Sequence, residues 1–65
     1  MQIQKGQRIR ITETATGNSI TGMVFDQSDT AFDFLPDDGS DLYTCMVESP
    51  DYTIEIIEPA PPKPA

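Results

Sequence analysis

Six of the eleven acidic residues of this chain, Asp26, Asp29, Asp33, Asp37, Asp38 and Asp41, fall within sixteen consecutive positions. Carboxylates at that density can do three kinds of chemistry: hold a divalent cation, exchange a proton in a catalytic pair, or present anions to a basic partner. The run Asp37-Asp38-Gly39-Ser40-Asp41 sets hard oxygen ligands beside a glycine. It lacks the alternate acids and the closing bidentate glutamate of a calcium loop, and an acidic turn accounts for it, so no metal site is assigned. A catalytic carboxylate pair needs a concave, desolvating site to drive its two pKa values apart, and a 65-residue chain has little interior from which to build one. Histidine is absent, Cys45 is alone and lysine occurs twice, so the common proton carriers and activated nucleophiles are missing or lack their partners. The expectation is a protein that is not an enzyme and that uses no cofactor.

The third chemistry is binding. Carboxylates held rigidly on one face can imitate the phosphates of a duplex, which carries about one charge per 1.7 Å of axis. Asp33, Asp37, Asp38 and Asp41 are the acids placed to do so, and the plainer alternative is that excess acid hydrates a small domain and blunts its sheet edges. Lys5, Arg8 and Arg10 make the first ten residues basic, but one base then stands against all eleven acids, for a net charge of −7. Direct contact with DNA or RNA is disfavoured over most of such a surface. A basic protein, including one that binds nucleic acid, is the better partner.

These side chains need a frame, and the residue pattern supplies five short strands. Arg8 to Thr14 alternates, with Ile9 and Ile11 on one face and Arg8, Arg10 and Thr12 on the other, the period of a half-buried strand. A turn at Thr16 to Ser19 leads into Ile20 to Asp26, where Gly22 marks a bend, a bulge or a close backbone approach. Thr30 to Leu35 turns Phe32 and Phe34 one way, and Leu42 to Glu48 follows. Pro36 and Asp38-Gly39 between these two runs predict a tight hairpin turn. Tyr52 to Ile57 forms the fifth strand, and no stretch has the period of a helix.

The alternation predicts a core of Ile9, Ile11, Ile20, Val24, Phe32, Phe34, Cys45, Val47, Ile54 and Ile56. It leaves Met23, Phe25, Leu42 and Met46 facing outward, and Met23, Phe25 and Met46 together would make a partner-binding patch. Arg8 and Arg10 point the same way and are expected to balance an acid on a neighbouring strand, Glu13 or Glu55. Residues 1–57 thus read as the folded domain and residues 58–65 as an extended tail. The tail holds four of the six prolines, which cannot donate to a ladder, and Pro59 to Pro62 and Pro61 to Pro64 each have PxxP spacing.

Gly17 to Asp26, followed by Phe34-Leu35-Pro36-Asp37-Asp38-Gly39, resembles the core meander of the Src-homology-3-like and Sm-like small barrels, and Lys5-Gly6-Gln7-Arg8-Ile9 resembles their lead into the first strand. The resemblance implies an all-β fold in which the bent antiparallel meander closes into a small barrel. It carries neither family's function: Ser28-Asp29-Thr30 stands where Sm proteins hold an RNA-contacting asparagine, and tryptophan is absent. A lone thiol in a strand and the lack of an apolar leader fit a cytoplasmic protein. The expected role is an acidic protein-binding module, of a kind that suits an accessory or inhibitory protein of a phage or mobile element. The alternative is a structural subunit that self-associates edge to edge into a ring or larger assembly.

Overall fold

Alternating side chains can hide one face of a strand only if several strands share that face. In the computed structural model, which describes residues 3–60, they do so in a single antiparallel sheet. Its strands are β1 (Arg8–Glu13), β2 (Ser19–Gln27), β3 (Ala31–Pro36), β4 (Tyr43–Met46) and β5 (Tyr52–Glu58), in the spatial order β4-β3-β2-β1-β5. Among the described residues no helix is long and apolar enough to cross a membrane.

The inward face buries Ile9, Ile11, Val24, Phe32, Phe34 and Cys45, with Ile20, Val47, Tyr52 and Ile54 packed against them. Phe34 is the keystone. Its ring meets Tyr43 edge-on at 5.5 Å between centroids and lies over Gly22, where a Cβ would stand 2.6 Å from Phe34 Cζ. Of the three readings of Gly22, close approach is the one observed. Ile3, which the alternation did not place, joins the core, drawn in by a turn in which Gln4 N–H donates to Gln7 Oε1 at 2.8 Å.

Four expectations change. The sheet does not close into a barrel: β4 and β5 are its two edges and do not pair. The physical reason is that side chains fill the gap between them. Cys45, Val47, Tyr52 and Ile54 meet in one cluster, while β4, at four residues, is too short to offer a ladder. Ile56, expected in the core, is 37% exposed, because no strand lies beyond β5 to cover it. The tight turn is a six-residue connection, 37–42, in which Gly39 alone takes a positive φ, of 87°. Finally, β5 runs through Glu58, the first residue of the expected tail. Pro59 and Ala60 follow it, and both PxxP segments extend beyond the described residues.

Two β-bulges re-aim side chains. Val24 pairs with Phe34 and Asp26 with Asp33, leaving Phe25 as the extra residue of β2. Ile9 pairs with Ile56 and Arg8 with Glu58, leaving Ile57 extra on β5. A bulge opposes two residues to one and shifts the alternation by a position. Phe25 keeps the outward place that alternation gives it and is 52% exposed, Ile57 is 38% exposed, and the shift turns Asp26 and Glu58 to the outward face as well.

Candidate functional site

The outward face of the sheet holds most of the residues picked out by the sequence. Met23 stands between Arg8 on β1 and Leu35 on β3, half-buried beside Leu35, which is 38% exposed. The bulge sets Phe25 next along β2, where it and Asp26 together oppose Asp33. Phe25, Met23 and Leu35 thus form an apolar island on one sheet face. Leu35 was missed by the sequence reading, although its place between inward Phe34 and Pro36 was the signal that would have found it.

Met46 is 49% exposed but lies opposite Ala31, four residues along β3 from Leu35, or about 13 Å at strand rise. It is separated from Met23 and Phe25 on β2 by the intervening strand β3.

The acids divide as well. Asp26 and Asp33 face each other directly across β2 and β3. Asp33 accepts from the Thr44 hydroxyl at 2.9 Å, and Asp26 from the Gln27 N–H at 2.9 Å. Both partners are neutral, and neither carboxylate pairs with a cation among the described residues. A shallow open hollow of about 220 Å³, lined in part by Asp26, Asp33, Phe32 and Thr44, lies beside them.

Asp37 is in the opposite state. Arg8 grips its carboxylate through both guanidinium nitrogens, and the Thr21 hydroxyl donates to it at 2.9 Å. These hydrogen bonds, led by Arg8, hold the Asp37 carboxyl below the ordinary carboxylate range and raise Arg8 in turn. Asp38 turns back into its own loop, accepting from Ser40 N–H at 2.8 Å, and hydrogen bonding by Ser40, through its side chain first and its backbone second, lowers the Asp38 pKa too. Asp41 is exposed in the same connection. Arg10 pairs with Glu55 at 2.9 Å, one of the two acids expected for this arginine pair, whereas Arg8 reaches an acid that strand alternation alone does not bring near.

Cys45 is buried, and desolvation pushes its thiol up, away from the thiolate a nucleophile needs. No group of three or more metal-ligating side chains occurs among the described residues. The outward face presents an apolar island bordered by the Asp26 and Asp33 carboxylates, neither paired with a cation among the described residues. Comparison of the chain with protein-family models, with curated proteins and with solved structures found no significant match.

Proposed function

We propose that this chain is a non-enzymatic protein-binding module whose outward sheet face receives a basic segment of a partner protein. One observation carries the reading: Asp26 and Asp33 stand directly opposite each other with no cation paired to either among the described residues, beside the exposed ring of Phe25. Like charges in directly opposed cross-strand positions destabilise a sheet. A lysine or arginine placed between them removes that cost, and an adjoining apolar residue covers Phe25, Met23 and Leu35. An aromatic anchor with a polar rim is the usual energetic layout of a binding patch. The net charge of −7 adds long-range attraction for such a partner and repels nucleic acid.

The test replaces Phe25 with a photoreactive phenylalanine analogue and identifies the crosslinked protein, then measures that protein's affinity for variants. Phe25→Ser and Asp33→Asn are expected to weaken binding about tenfold or more, with added salt weakening it further. Asp37→Asn is expected to have little effect, since Arg8 already occupies that carboxylate. Asp33→Asn also separates binding from folding, because it stabilises the free domain by a few tenths of a kcal/mol as it relieves the cross-strand repulsion. Equal affinity for the wild-type chain and for Phe25→Ser removes the proposal.

A further inference from the structure

The two edges of the sheet differ in which backbone groups they leave unpaired. On β5, Thr14 N–H donates to Asp51 C=O at 2.9 Å, and Arg10 lies opposite Glu55 in the same register. Alternation along the ladder then turns the amides and carbonyls of Thr53 and Glu55 toward β1 and those of Tyr52, Ile54 and Ile56 outward. None of these outward groups has a partner among the described residues. On β4, Val47 N–H donates to Thr30 C=O at 3.0 Å, so Thr44 and Met46 face outward. Met46 is already capped: its N–H donates to the Tyr52 hydroxyl at 2.6 Å, and that hydroxyl donates to the Met46 carbonyl at 3.0 Å.

We propose that the free edge of β5 pairs with β5 of a second copy, antiparallel about a two-fold axis at Ile54, giving a closed dimer with one continuous ten-stranded sheet. Four features select this occupant. β4 offers a single uncapped outward residue, Thr44, so a head-to-tail β4-to-β5 contact, the kind that builds rings, lacks a ladder. The C-terminal sequence is poor in ladder donors, because Pro59, Pro61, Pro62 and Pro64 lack an amide N–H. The edge has neither lysine nor proline in Tyr52-Thr53-Ile54-Glu55-Ile56, and its bulge lies just beyond that segment, at Ile57. And the register is self-complementary. Centred on Ile54, it sets Tyr52 against the second Ile56 and Thr53 against the second Glu55, whereas a shift of one position in the pairing would set Glu55 against itself.

The same register explains the exposure of Ile56. Its side chain belongs to the inward face but stands at the margin of the sheet, 37% exposed. In the dimer it is covered by the second Tyr52, so the two cores join. Pro50 at one end and the Ile57 bulge at the other limit the paired segment to five residues, which ends the assembly at two copies. A two-fold axis normal to the sheet also puts both Phe25 islands on the same side.

Sedimentation of the full chain from micromolar to millimolar concentration is the test, with a monomer–dimer equilibrium as the expected result. Salt should strengthen this association, since two copies of charge −7 repel. That is the opposite of its effect on a basic partner, so the two proposals fail separately. A chain synthesised with an N-methyl group on the Ile54 amide should remain monomeric yet give an unchanged circular dichroism spectrum, because that N–H has no partner among the described residues of its own chain. Thr53→Lys should tighten the dimer and Thr53→Glu loosen it, each by about two- to thirtyfold through two symmetry-related cross-strand pairs. A monomer at every concentration, a species larger than a dimer, or a dimer indifferent to N-methylation overturns the proposal.

Discussion

The two margins of this sheet solve the same problem in different ways. β4 has four residues, and its exposed backbone at Met46 is sealed by the hydroxyl of a tyrosine that reaches across from β5. β5 has seven residues, bears a bulge near its end, and leaves the backbone of Tyr52, Ile54 and Ile56 unsealed. One edge is spent on holding the monomer together and the other is left for company. An unpaired edge is an association hazard that small β proteins ordinarily suppress, so sealing one margin and not the other gives the molecule a direction.

That contrast depends on the centre of the sheet, where the largest effect is expected. Phe34 packs between the Tyr43 ring and the backbone at Gly22, and it is fully buried. Phe34→Ala is expected to cost about 3–5 kcal/mol, against a total stability of about 3–10 kcal/mol for a domain of this size. Urea denaturation should find the variant largely unfolded. Hydrogen exchange should show the Cys45 amide of β4 and the Thr53 amide of β5 losing protection together; if β5 stayed protected alone, the two edges would not belong to one cooperative unit.

Tyr52→Phe sharpens the contrast by unsealing one edge only. The hydroxyl makes two hydrogen bonds to a backbone that water can reach once they are gone, so the expected loss is about 1 kcal/mol. The site-resolved signature is more decisive. In the wild-type monomer the Met46 amide should exchange slowly and the Ile54 amide quickly. In the variant both should be fast, with Thr53 unchanged. A Met46 amide that stays protected would mean that something other than the tyrosine covers that edge.

Why the edges escaped a sequence reading while the strands did not is a matter of range. Ile9 and Ile11, or Phe32 and Phe34, announce an inward face through their immediate neighbours, and five strands with most of the core follow from that local period. Strand order is a long-range property. Nothing local to Tyr52 says that its hydroxyl will meet Met46, and nothing local to Ile56 says that its strand will pair on one side only. The bulge at Phe25 is of the same kind, since outward exposure was legible from alternation but the opposition of Asp26 to Asp33 needed the β2–β3 register. The Arg8 and Asp37 pair is a third case, joining residues 29 positions apart through a loop whose width turn chemistry underestimated.

The smallest expected effect concerns the charges that flank the margins. Arg10 and Glu55 run beside the open edge, whereas Arg8 holds Asp37 at the start of the connection into β4. Because Arg8 and Thr21 depress the Asp37 pKa in the folded state, the pair contributes in full at pH values above the ordinary carboxylate range. That contribution shrinks as pH falls through that range, near 3.9 in an unfolded chain, and is gone once pH passes below the folded value. Both side chains are substantially solvent-exposed, so the contribution is small and salt-sensitive. Asp37→Asn should therefore reduce the drop in melting temperature between neutral pH and pH 3. Asp38→Asn should do so less, because the asparagine carbonyl can still accept from Ser40 N–H. Equal acid sensitivity in the Asp37→Asn variant and the wild type would show that Arg8 does not favour the ionised carboxylate, and the asymmetry between the margins would then rest on the Tyr52 seal alone.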